Sequence, residues 1–179
     1  MIELLTPTAR WHDSWLEARE EWGRGVHQAG SGLHPDDDVD SLDGFIRWLD
    51  RLRREGDPST VPEGRVPATY WWLVDDDAYL GTIALRHRLN DFLLDAGGHI
   101  GYGVRPSARR RGLAGWAVAR VLERARAMGL ERVLITCSDD NVASARTIER
   151  NGGVLEDVRD TELGRTRRYW VDLEASRPA

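Results

Sequence analysis

Between residues 99 and 153 the apolar pattern switches repeatedly between strand and helix periods, and this constrains the fold more than any other feature. "HIGYGV" (99–104) is a short strand, and a helix is expected from about 110 to 128 with Leu113, Ala117, Val121, Ala125 and Met128 on one face. "RVLITC" (132–137) is a strand again, "VASARTIER" (142–150) a helix, and Asn151-Gly152-Gly153 its stop. A strand–helix–strand–helix order requires a sheet with helices packed on it.

The flanks extend that sheet. "TYWWLV" (69–74), an Asp75-Asp76-Asp77 turn and "YLGTIALRH" (79–87) form a hairpin, and "VLEDV" with "RRYWVDL" forms another near the end of the chain. Residues 2–6 make a short strand. Trp11, Trp15, Ala18 and Trp22 follow helical spacing, and Ser41 caps a second helix with Leu42, Phe45, Ile46, Leu49 and Leu52 as its stripe. Residues 23–38, rich in Gly and Asp, read as a long loop. The result is a mixed α/β domain.

A chain of 179 residues fits one domain. Its net charge of -5 argues against nucleic-acid binding. No apolar run approaches a membrane span, and no basic-then-apolar segment opens the chain. The lone Cys137 fits a reducing compartment, so the cytoplasm is expected. All 25 basic residues are Arg, which rules out lysine chemistry and a P-loop. His12, His27 and His34 lack ligand spacing, so no metal is expected.

Against that acidic background, "VRPSARRRGLAGW" (104–116) gathers Arg105, Arg109, Arg110 and Arg111 ahead of Gly112-Leu113-Ala114. Free N–H groups at a helix start, small residues and arginines suit an anion such as a phosphate. A solvated arginine run is the plainer reading of the same residues. The slight cost of positive charge at a helix N-terminus favours the anion.

Arg109-x-x-Gly112-x-Ala114 after "HIGYGVRPS", followed by "RVLITC" and "DDNVASARTIERNGG", resembles the GNAT N-acetyltransferase superfamily. The likeness is strong over 98–155, fair over 69–97 and thin over 1–68. It implies a GNAT-like α/β (α+β) fold, a mostly antiparallel sheet with central splayed strands flanked by helices. Residues 1–179 would form a single domain, with 1–68 the variable acceptor side and 69–175 the acetyl-CoA-binding core. It further implies that the pantetheine arm of acetyl-CoA pairs with the backbone of Tyr102, Gly103 and Val104. The pyrophosphate would rest on the N–H groups of Arg109, Arg110, Arg111, Gly112, Leu113 and Ala114. Asn141 and Ser144 match the family's Asn-x-x-Ala/Ser pair facing the cofactor.

The implied reaction is attack of a neutral primary amine on the thioester, on a small-molecule or peptide acceptor, in a monomer or a homodimer. His87 and His99 are the candidate bases, lying on the strands nearest the gap. Alternation along 99–104 sets His99, Gly101 and Gly103 opposite Ile100, Tyr102 and Val104. Many family members carry a Tyr seven residues past the Asn to protonate the thiolate; here Ile148 stands there. Ser144, Thr147, Tyr102 or water are the substitutes, or the thiolate leaves unprotonated. The missing Tyr and the lack of an obvious base also fit a non-catalytic acyl-CoA-binding regulatory module, and a protein-interaction domain with an empty cleft is the other alternative. The acidic 36–43 segment slightly favours a cationic acceptor, and Trp22 is a candidate for its pocket.

Overall fold

The computed structural model describes residues 1–174. Residue 175, the end of the expected coenzyme core, and residues up to 179 lie outside the described part. Seven strands form one sheet: β1 (Ile2–Leu5), β2 (Ala68–Asp75), β3 (Ala78–Arg86), β4 (Ile100–Val104), β5 (Arg132–Ser138), β6 (Val154–Thr161) and β7 (Gly164–Asp172). Their spatial order is β1-β2-β3-β4-β5-β7-β6, and every neighbouring pair is antiparallel except β4–β5. The helices are α1 (His12–Trp22), α2 (Leu42–Glu55), α3 (Leu113–Ala127) and α4 (Val142–Arg150). This is the fold class expected from the sequence.

The parallel pair follows from the connection. α3 carries the chain from the end of β4 back to the start of β5, as a crossover must. Its apolar face (Leu113, Ala117, Val118, Val121 and Ala125) packs on Ile83, Ile100, Ile135 and Ile148 in one core layer. α1 and α2 cover the other face of β2 and β3 with an aromatic layer of Trp11, Trp15, Phe45, Trp48, Trp72 and Tyr79. Burying each of these side chains is worth roughly 1.5–3 kcal/mol. Ile148, where the family pattern has Tyr, is fully buried in the first layer.

Candidate functional site

β4 and β5 pair at a single position, Ile100 with Ile135, and then separate. β4 stays bonded to β3 along 100–104, and β5 stays bonded to β7 along 132–138, so the two strands diverge as parts of two half-sheets. The edge of β4 facing β5 beyond Ile100 therefore offers main-chain groups with no strand beside them. Such an edge is where an extended chain adds itself to a sheet.

His99 closes the narrow end of this gap. Its main-chain N–H donates to the Leu134 carbonyl at 2.7 Å, and its Nδ1 accepts the Leu134 N–H at 2.9 Å. The ring proton is therefore on Nε2. Burial, reinforced by the positive Arg86, pushes the ring's pKa down to about 4, so it is uncharged at neutral pH. His87, past the end of β3, lies 2.8 Å from the Thr69 hydroxyl, and burial lowers its pKa too. Neither histidine lines either of the protein's two main clefts.

The first cleft, about 620 Å³, runs along the splay. Its lining includes Tyr102, Gly103, Val104, Arg109, Arg110, Gly112, Leu113, Ala114, Asn141 and Ser144, all expected from the sequence. Arg111 is exposed and not among the lining residues. Arg105 is engaged elsewhere, bonding Glu21 at 2.7 Å and Glu17 at 3.3 Å, which ties the turn to α1. The arginine cluster thus divides by task. Gly112 is needed for its backbone: at φ +77° it precedes α3, and open space surrounds its Cα. The first main-chain bond of α3 runs from Trp116 N–H to Gly112 C=O, so the N–H groups before it remain free at the helix's positive end.

At the other wall, Asn141 caps α4 by accepting the Ser144 N–H at 3.1 Å. The Ser144 hydroxyl lies 2.7 Å from the Tyr102 hydroxyl across the gap. Burial raises the Tyr102 pKa to about 12 despite that bond, so the phenol is a neutral donor. Cys137, half-buried nearby, has its pKa raised by burial, which makes a nucleophilic thiolate unfavourable.

The segment that closes the cleft was the least legible from the sequence. Trp22 at the end of α1 and His27, Gln28 and Ala29 of the 23–38 loop line it. Gln28 is 4% exposed, and its Oε1 accepts no hydrogen bond from the described residues. The loop lies directly on β4. A Cβ on Gly30 would fall 2.1 Å from the Gly101 carbonyl oxygen, and one on Gly103 would meet Ala29 and Trp22. The "GYG" of β4 is thus a bare strip on which a loop rests, while Tyr102 and Val104 face α3 as alternation requires. Trp22 lies in this cleft rather than the second one. Thr147, a candidate proton donor from the sequence, also lines the cleft, and Ala108, Gly115, Ala143 and Arg150, which no sequence signal singled out, complete the lining.

The second cleft, about 600 Å³, lies on the α1–α2 side over the ends of β2 and β3. His27 and Gly30 reach it, and His27 borders both clefts. Ala68, Tyr70 and Ala84 contribute from the sheet, and Arg51, Arg54, Glu55, Arg65 and Arg86 from around it.

The acidic segment does not face either cleft freely. Asp37 pairs with Arg51, Asp38 accepts from Ser41, and Asp40 holds Arg19 and Arg24. It is a brace between loop and helices, which removes the basis for expecting a cationic acceptor.

A family model described as Acetyltransferase (GNAT) domain matches residues 9–154. No curated protein matches the chain in sequence. The structure is similar to that of RimL, a ribosomal L7/L12 alpha-N-protein acetyltransferase in complex with coenzyme A. Those two share 16% identity over 98% of this chain and 96% of that one, with a TM-score of 0.71. Mycobacterium smegmatis RimJ, in complex with CoA-disulfide, superimposes with a TM-score of 0.73 at 16% identity, over 99% of this chain and 85% of that one. A ribosomal-protein-S5-alanine acetyltransferase from Vibrio fischeri gives 0.71 at 16% identity, over 99% and 94%.

Proposed function

The chain belongs to the GNAT acetyltransferase family, and on that premise we propose an acetyl-CoA-dependent N-acetyltransferase that transfers acetyl directly to a primary amine, an α-amine in particular. The observation that carries this is the unpaired edge of β4, which runs from the free N–H groups ahead of α3 to the Tyr102–Ser144 pair. Acetyl-CoA supplies an activated acyl carbon.

The residues suit that molecule. Main-chain N–H groups at 110–115, with Arg109 and Arg110 beside them, would take the pyrophosphate. The arm would add as a strand along Gly101–Val104, and the orphaned Gln28 Oε1 would accept one of its amide N–H groups. Residues 69–175 would then serve the coenzyme and 1–68 the acceptor, with the 23–38 loop shared between them.

At the reacting end, Tyr102 donates a hydrogen bond. Moving a proton from a phenol near about 12 to a thiolate near about 8.5 is uphill by roughly 5 kcal/mol, so the Tyr102–Ser144 pair stabilises the departing sulfur without transferring a proton. His99 is locked to Leu134 and His87 stands off both clefts, so we assign neither as the base. An α-amine with a pKa of about 8 is about a quarter neutral at pH 7.5, so it needs no strong base, unlike a lysine ε-amine near 10.4. RimL, an alpha-N-protein acetyltransferase to which the structure is similar, suits the same reading.

Calorimetric titration with acetyl-CoA beside 3′-dephospho-acetyl-CoA tests the coenzyme; micromolar binding, weaker for the dephospho form, is expected. Thiol release in the presence of peptides with free N-termini tests the transfer. Binding without turnover on any amine would leave a regulatory acyl-CoA-binding module in its place.

A further inference from the structure

The second cleft is strongly basic in a protein whose net charge is -5. Arg51, Arg54, Arg65 and Arg86 line it against one carboxylate, Glu55. That carboxylate is engaged: Arg51 donates to Oε1 at 2.8 Å and the Tyr70 hydroxyl to Oε2 at 2.6 Å. Arg51 is in turn neutralised by Glu55 and Asp37. Arg54, Arg65 and Arg86 have no carboxylate partner among the described residues.

Arg65 and Arg86 are held in place. The Arg65 Nη1 lies 3.4 Å from the His34 Nε2, which also takes the Arg51 Nη1 at 3.3 Å. The backbone of the Arg65 segment is fixed to the end of β3 by Arg88, donating to the Arg65 carbonyl, and by Asn90, donating to that of Gly64. Arg86 spends Nη1 on the Gly97 and Gly98 carbonyls at 2.9 and 3.0 Å, leaving Nε and Nη2 without a partner among the described residues. Burial lowers its pKa, the mark of a guanidinium short of counter-charge. Its anchors directly precede His99 and β4, so this positive group stands beside the closed end of the splay. A half-buried cation without a counter-charge carries a penalty that an incoming anion reduces.

We propose that the second cleft holds the acceptor by a carboxylate or phosphate near its amine, through Arg54, Arg65 and Arg86. This rests on the transferase reading and narrows it: the acceptor is an anionic amine, either a small amino acid or phosphoamine, or a peptide with acidic residues just after its N-terminus. Guanidinium groups suit both oxyanions because they present paired N–H donors. The apolar lining of Leu33, Val61, Pro62 and Leu93 accepts the uncharged remainder.

The test is calorimetry of the full chain, with and without CoA, using Ser-Glu-Glu amide, Ser-Gln-Gln amide, Ser-Lys-Lys amide and O-phosphoserine. Ser-Glu-Glu amide or O-phosphoserine binding about tenfold tighter than Ser-Gln-Gln amide is expected, with the lysine peptide weakest. The tighter of the two anions identifies the source. In an Arg54→Gln/Arg65→Gln double variant, both exposed side chains, the preference falls below about threefold while acetyl-CoA affinity stays unchanged. Equal or tighter binding of the neutral or basic peptide overturns the proposal, as does no binding of any probe. Loss of acetyl-CoA binding in the wild type would overturn the transferase reading instead, and the CoA-free titrations would still decide the anion site.

Discussion

The cleft along β4 and the cleft over the ends of β2 and β3 are similar in volume but built by different means. The first depends on main-chain groups: a strand edge without a neighbour, free N–H groups ahead of α3, and glycines that let chain approach chain. The second depends on side chains brought from α2, the 60–66 segment and the ends of β2 and β3. A main-chain site leaves a signature of small residues at fixed spacing, whereas a side-chain site leaves arginines scattered over dozens of residues. Ligand chemistry differs accordingly: the first suits a long extended molecule with phosphates, the second a compact anion.

Breaking the main-chain cleft has the largest expected effect. Gly30→Ala places a methyl 2.1 Å from the Gly101 carbonyl at a residue with φ +79°, and is expected to cost about 3 kcal/mol or more in urea unfolding. Acid acts at the closed end of the splay. The folded pKa of His99 is about 4 against 6.5 unfolded, so the unfolded chain binds more protons between those values. The contribution is fully present above pH 6.5 and declines as pH falls toward 4, by on the order of 3 kcal/mol; the slope should flatten in His99→Gln, as read by unfolding at stepped pH.

Smaller changes sharpen the contrast. Gly112→Val forces a branched residue into φ +77°, at about 1–2 kcal/mol of stability and roughly tenfold in acetyl-CoA affinity, while binding of anionic probes in the second cleft stays constant. Tyr102→Phe removes one hydrogen-bond donor and is expected to lower kcat about tenfold with little change in KM for acetyl-CoA. Arg111→Gln, at an exposed position outside the cleft, should change coenzyme affinity by about twofold at most, against about tenfold for Arg110→Gln. Equal effects would mean that the arginines act as a diffuse field.

How far the sequence could be read follows from the same distinction. The α4 boundaries, the Ser41 cap and the alternation of Gly101 and Gly103 against Tyr102 were legible because each depends on neighbours a few residues away. Most residues lining the first cleft were legible too, since one strand–turn–helix segment supplies many of them. The histidines were not, because their chemical availability depends on what packs around the ring: His99 is bound to Leu134 and His87 faces Thr69. The pairing of the acidic 36–43 segment was not legible either, because its partners, Arg19 on α1, Arg24 just past it and Arg51 on α2, are distant in the linear sequence.

By itself, then, the sequence determined the elements, their order and the glycine turn ahead of α3, because hydrophobic period, caps and glycine φ are local properties. Only the tertiary structure decided that β4 and β5 part after Ile100, that Gln28 is buried at the gap, and that three arginines without a carboxylate partner among the described residues converge over the second cleft. Those features depend on burial and on charge neutralisation, which are set by residues distant in the chain and cannot be read from spacing.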